Sequence, residues 1–269
     1  MTDRPPTLAE LQADLADEQA DLVRIVAPLG APDWAGDTPA AGWTVRDQIA
    51  HLAYYDSAAA LAISDPAAFE AEQERALGGG DFGHYEATTL RRELDGPATL
   101  DHWREQSAFL HRAIDAMDPS ARVPWYGPPM AGASLVTARV METWAHGQDI
   151  VDALGTQRPP TARLRHIAHL GVRTRGFSFT VRGLEPPAGE VAVQLSGPAG
   201  ESWTWGPPDA STAADSVAGS AVDFCLVVTQ RRHLADTGLV VRGSLAEAWM
   251  GKAQAFAGPP GAGREPLSA

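Results

Sequence analysis

Near the middle of the chain, three side chains have the types and spacing for metal chemistry. They are Glu142, His146 and Asp149, in the run Met141-Glu142-Thr143-Trp144-Ala145-His146-Gly147-Gln148-Asp149. On a helix, a spacing of four sets Glu142 and His146 one turn apart on one face, and Asp149 follows three residues further along it. A fourth candidate, His51, lies far earlier, in Ile49-Ala50-His51-Leu52. If the two helices pack with these faces together, one carboxylate and two imidazoles converge. Two histidines and a glutamate are the protein ligands of many zinc sites that keep a position open for water or substrate. The same donors suit iron or nickel, so the ligand set does not choose the metal. The competing reading is a solvated pair one turn apart, with His51 lining a core. Leu135, Glu142, His146 and Asp149 share one stripe, however, and a carboxylate buried without a cation is costly. No H-E-x-x-H run is present, which argues against a zincin-type protease.

The elements that would position these groups read as helices in the first half. Thr7-Leu8-Ala9-Glu10 has the pattern of a capping box, and Leu8, Leu11, Leu15, Leu22, Val26 and Leu29 follow at helical spacing. Pro28, Gly30 and Pro32 end that helix, and residues 33–42 read as a loop. Thr44 is a good N-cap, with Asp47 three residues on, for a helix carrying Val45, Ile49 and Leu52 that stops near Asp65-Pro66. One short helix and a Gly78-Gly79-Gly80 break are expected before a third long helix over about 97–117. Ser134 is expected to cap a fourth that reaches Leu154. Four long helices joined by loops predict a four-helix bundle, a fold that builds metal sites from facing helices. After Gly155 the texture changes. Gln157-Arg158-Pro159-Pro160 reads as a linker and 161–175 as a helix. Alternation at 191–195 and at Trp203 and Trp205 predicts a hairpin turning at 197–200. A helix over 218–230, a strand at 239–241 and a helix over 245–256 complete a small α+β domain.

Composition sets outer bounds. The chain has 269 residues, one cysteine, and 34 acidic against 21 basic side chains, a formal charge of -13. A field of that sign repels phosphate backbones and anionic membranes, so neither is an expected partner. A single cysteine excludes an internal disulfide framework and any multi-thiolate metal site. No apolar run reaches the ~18 residues of a membrane helix. The N-terminus lacks the apolar core of a secretory signal, so the expected compartment is the cytoplasm.

Other residues compete less well. His166 and His169 share a helix with Arg163, Arg165, Arg173 and Arg175, a set that reads as a solvated basic face or as an anion site. Cys225, in the apolar run Phe224-Cys225-Leu226-Val227-Val228, reads as inert core. Tyr55, one turn beyond His51, could line the same cavity.

The run Gly42-Trp43-Thr44-Val45-Arg46-Asp47-Gln48-Ile49-Ala50-His51-Leu52 closely resembles the entry to the metal-binding bundle of the mycothiol-dependent maleylpyruvate isomerase family, within the wider DinB-like group. The run 141–149 resembles that family's second metal motif. The resemblance covers nearly the whole chain. The Trp125–Met130 loop and the stretch 223–232 look like an actinobacterial subfamily usually described only as metal-binding. The resemblance implies a two-domain fold, a DinB-like four-helix bundle over 1–156 and a small sterol-carrier-like α+β domain over 157–258; the sequence from Pro259 reads as a disordered tail over 259–269. It implies His51, Glu142 and His146 as ligands, the three that spacing brings together, and zinc as the usual metal. It also implies mycothiol, a low-molecular-weight thiol, as cofactor. In such chemistry the thiolate adds to an electrophilic carbon. Rotation and elimination then give an isomer, or release gives a transferase product. Arg231 is the best match to an arginine implicated in substrate binding, although the residue before it is Gln230 where the family has glycine. Asp149 would orient a ligand or a water from behind the metal. Two other readings stand beside this one. One is a metal-containing binding protein for an apolar ligand or lipid. The other is a metal-assisted hydrolase with Asp149 as base.

Overall fold

The structure, a computed structural model, describes residues 4–77, 90 and 93–267. The chain divides into two units, Met1–Gln157 and Arg158–Ala269.

The first unit is helical. Its elements are α1 (Leu8–Val26), α2 (Ala31–Trp34), α3 (Val45–Ser64), α4 (Pro66–Leu77), α5 (Gly96–Ala116) and α6 (Gly132–Ala153). A two-residue ladder of β1 (Arg122–Val123) with β2 (Met130–Ala131) precedes α6. The ends of the helices follow from local chemistry. The Thr7 side chain accepts from the Glu10 N–H while the Glu10 carboxylate takes the Thr7 N–H, and Thr44 and Asp47 repeat that box at the start of α3. Asp95 caps α5. Two expectations differ. A turn of helix, α2, interrupts the expected loop. The fourth long helix begins at Gly132 rather than Ser134, continuing directly from β2, and its N-cap is Ala131, whose methyl makes no capping hydrogen bond. The expected glycine break at 78–80 lies outside the described residues.

Apolar stripes hold the bundle together. Leu11, Leu15, Leu110, Ile114, Leu135 and Val140 meet in one buried cluster; Leu22, Ile49, Leu52, Leu100, Trp103 and Ile150 meet in a second. Along α3 the second cluster ends at Ala53 and the first resumes at Ala58. Asp56 falls in that gap, fully buried. Its carboxylate accepts from Arg139 Nε at 2.9 Å, Trp103 Nε1 at 2.9 Å, Gln19 Nε2 at 3.0 Å and Ser107 Oγ at 3.3 Å. All four long helices therefore meet on one carboxylate.

The second unit carries α7 (Leu164–Arg173), α8 (Arg175–Thr180), β3 (Ala192–Ser196), β4 (Ser202–Trp205), β5 (Ser216–Ser220), α9 (Ala221–Val228), β6 (Val240–Arg242) and α10 (Ser244–Met250). The sheet order is β4-β3-β5-β6, with β3 and β5 parallel and both outer pairs antiparallel. The hairpin falls where alternation places it, with Leu195 opposite Trp203. The expected helix over 218–230 is shorter, because 216–220 pairs with β3 as a strand and Ser220 then caps α9. The last helix ends at Met250, well before 256. Among the described residues, no helix is long and apolar enough to cross a membrane.

Candidate metal centre

α3 supplies His51, and α6 supplies Glu142 and His146. Glu142 Oε2 lies 3.2 Å from His146 Nε2 and 3.9 Å from His51 Nε2. One ligand atom from each residue lies within 4.8 Å of the others. Zinc bonds of about 2.0–2.1 Å in a tetrahedron place neighbouring donors about 3.3 Å apart, so small adjustments would close this set on one ion. The donor chemistry fits a borderline-soft dication with one open position. Burial alone would push the Glu142 carboxyl up. The hydrogen bonds and charges of His146 and His51 outweigh that and hold it well below the usual carboxylate range, so it is ionised.

Aromatic rings enclose the histidines. Trp43 stacks on His146, with centroids 5.9 Å apart and planes 18° apart, and meets His51 at 5.1 Å. The two imidazoles are 4.2 Å apart. Tyr55 lies 4.6 Å from His51 and is followed outward by Tyr126 at 5.6 Å and Trp125 at 6.2 Å. Tyr126 is held to Tyr54 through their hydroxyls at 3.1 Å. Beneath Tyr55 sits the guanidinium of Arg139, 6.0 Å from the ring centroid.

A polar chain approaches His146 from behind. Its Nδ1 is 2.5 Å from Gln48 Oε1; Gln48 Nε2 donates to Thr38 Oγ1 at 2.8 Å; and Thr38 Oγ1 donates to the Trp43 carbonyl at 2.8 Å.

The sequence-derived candidates divide clearly. His51, Glu142 and His146 converge. Asp149 is buried on the same face of α6 but is not among the ligand atoms that converge. Arg231 belongs to the second unit, where its Nη1 donates to the Thr229 carbonyl at 2.7 Å. It follows Gln230, which ends α9 in a left-handed turn at φ 60°. The N–H groups of Gln230 and Arg231 return to Val227 and Leu226, and Gln230 is the only non-glycine with positive φ among the described residues. His169 Nδ1 accepts from Trp205 Nε1 at 3.2 Å. Burial and the charges of Arg173, His166 and Arg165 push its imidazole down, toward the neutral form. Burial pushes the Cys225 thiol far above its ordinary range, as befits inert core. Gln48, Thr38, Trp43 and Arg139 were not singled out in the sequence. For Gln48 the usable signal was a polar residue one turn before His51 on the buried side of an N-capped helix.

A helical bundle with two histidines and a carboxylate facing each other defines a candidate mononuclear metal protein. The chain belongs to the family described as mycothiol maleylpyruvate isomerase N-terminal domain, whose model matches residues 15–151. Two proteins from strains of Mycobacterium tuberculosis, both described as uncharacterized, are 47% identical over 265 residues, spanning 98% of this chain and 100% of theirs. Among solved structures, the mycothiol-dependent maleylpyruvate isomerase shares the fold with a TM-score of 0.58 at 18% identity, over 91% of this chain and 97% of that one. A histidine-to-alanine mutant of that enzyme gives 0.59 over the same shares.

Proposed function

We propose that this protein is a divalent-metal, mycothiol-dependent enzyme. It acts as an isomerase or thiol S-transferase on a small electrophilic substrate that carries a carboxylate. The observation that carries this reading is the convergence of His51 Nε2, His146 Nε2 and a Glu142 carboxylate oxygen. Membership of the family, and the likeness to an enzyme named for mycothiol and maleylpyruvate, supply the thiol and the reaction class. Zinc is the metal of first choice, with iron or nickel accommodated by the same donors. When bound there, a dication favours the deprotonated form of a coordinating thiol at neutral pH.

The chain's own groups have distinct tasks. Glu142 brings the negative charge, and the two imidazoles bring nitrogen donors. Trp43 and Tyr55 shield the histidines from bulk water, which strengthens every charge interaction at the site. Asp149 orients a ligand or a water, and Arg231 takes a substrate carboxylate. Residues 1–156 form a DinB-like bundle and 157–258 a sterol-carrier-like domain. The compartment is the cytoplasm, and the partners are small molecules rather than nucleic acid or membrane.

The deciding experiment is elemental analysis of wild type and Glu142→Ala. About one equivalent of metal in the wild type, lost in the variant, supports the reading and leads to assays with mycothiol and unsaturated acids. No metal in the wild type after zinc is offered overturns it. Turnover without any thiol moves the site to metal-assisted hydrolysis.

A further inference from the structure

The chain of hydrogen bonds behind His146 runs in only one direction. Its last acceptors are carbonyls, that of Trp43 at 2.8 Å and that of Ala40 at 3.5 Å, which cannot donate, so the Thr38 hydroxyl proton goes to one of them. Thr38 Oγ1 then has only lone pairs for Gln48 and must receive an N–H. This places Nε2 of the Gln48 amide toward Thr38 and Oε1 toward His146. An amide oxygen only accepts, so His146 must donate from Nδ1. On the neutral ring that would bind a metal, Nε2 is then the atom with the free lone pair, and it faces Glu142 Oε2 at 3.2 Å. Without an ion a second proton on Nε2 bridges to that carboxylate, as the hydrogen bond described above; with an ion bound, the ion takes the place of that proton.

We infer that Gln48 is a positioning residue of the metal centre: through Thr38 and the Trp43 carbonyl it sets the tautomer of His146 and makes Nε2 the metal donor. The inference rests on the metal reading above and adds the groups that orient the ligand. Partners on the non-ligating nitrogen of a histidine commonly govern both ring orientation and metal affinity. The amide is fully buried, and water does not compete for it. The loop before α3 is built to hold the far end. Asp37 bridges Thr44, the Trp43 N–H reaches the Ala40 carbonyl, and Gly42 takes φ 80°, where a side chain would be strained. Trp43 thus holds His146 twice, by its ring on the imidazole face and by its carbonyl at the end of the chain.

The test is zinc affinity of the full-length protein, measured by competition with a colorimetric chelator. Gln48→Met keeps the volume and removes the acceptor; affinity should fall 10–100-fold. Gln48→Glu keeps an acceptor on Nδ1 and should stay within a few-fold of wild type. Thr38→Val releases the amide to turn over and should lose affinity, and Thr38→Ser should restore it. A readout needing no variant is the ¹⁵N spectrum of histidine in the zinc-loaded wild type. It should show His146 protonated on Nδ1 and coordinated through Nε2. The inference is overturned by a proton on Nε2. It is equally overturned if Gln48→Met and Thr38→Val bind zinc like wild type while His146→Ala loses it. If His146→Ala also binds like wild type, the metal reading itself fails, so the two failures are told apart.

Discussion

Removing the Asp56 carboxylate should cost the bundle about as much stability as a small domain possesses. Asp56→Ala strips the counter-charge from Arg139, a side chain only 2% exposed whose Nη2 already has no hydrogen-bond partner among the described residues. Breaking a buried ion pair from one side costs about 3–5 kcal/mol. The same change orphans the Trp103 and Gln19 donors, at about 1–3 kcal/mol each. These contributions overlap, so about 5 kcal/mol is the expected total, against about 5–15 kcal/mol for a whole domain. With a urea slope near 2 kcal/mol per molar, the midpoint should fall by about 2.5 M. Far-UV circular dichroism is the suitable probe, because the helices of the first unit dominate it. Asp56→Asn, which keeps the shape but turns an amide N–H toward a donor, should lose roughly half as much. The double variant Asp56→Leu with Arg139→Met removes both charges and should recover most of the loss. A midpoint for Asp56→Ala within 0.5 M of wild type, a shift below about 1 kcal/mol, would refute the reasoning. So would a double variant no better than the single. The same experiment bears on the metal centre: Asp56 follows His51 on α3, and Arg139 precedes Glu142 and His146 on α6. Their ion pair sets the helix register that brings the ligands together, so Asp56→Asn should also weaken zinc binding.

Three further outcomes are expected. His111 donates from Nε2 to Gln19 Oε1 at 2.8 Å, and burial pushes its imidazole down despite the raising pull of Asp56 and Asp115. It therefore stabilises the fold fully above about pH 6.5, and that stability is lost as pH falls toward its folded-state value. His111→Gln should flatten the pH dependence of the melting temperature below about pH 6.5, and an unchanged slope would assign it elsewhere. Gln230→Gly should relieve a left-handed turn worth about 1 kcal/mol, offset by loss of the 3.1 Å bond from Gln230 Nε2 to the Ala253 carbonyl. Thermal unfolding should thus change little, and a large loss would show that the side-chain bond dominates. A Cβ on Gly171 would sit 2.8 Å from Val228 Cγ2, where α7 meets α9. Gly171→Ala should therefore destabilise the second unit by about 1–3 kcal/mol in denaturant unfolding, and a neutral result would mean that α9 shifts freely.

How far the sequence revealed this depended on whether each feature was local. Glu142 and His146 were legible because a spacing of four fixes one face of a helix whatever the rest of the chain does. His51 needed the assumption that its helix faces theirs, which the run from Gly42 to Leu52 made specific by resemblance. Thr7 and Thr44 were legible as caps because the box closes within four residues. Ser216–Ser220 was not: its small residues carry no clear period, and only its pairing with β3 on one side and β6 on the other makes it a strand. Gln48 was not legible as a ligand's partner because its role depends on Thr38 folding back over the start of α3. Arg139 was missed because nothing local marks a buried arginine whose counter-charge arrives from another helix.

The unequal division of the ligands has a consequence for the order of assembly. Glu142 and His146 stand one turn apart on α6, so that helix carries two donors in register as soon as it forms. His51 arrives only when α3 docks. An ion present during synthesis would find a chelating half-site on α6 before the bundle closes, and the last coordination bond would be made by helix docking itself. Part of the binding free energy then becomes free energy for joining two segments remote in sequence. Zinc supplied during refolding should accelerate the docking of α3, whereas zinc added afterwards can only slow its departure.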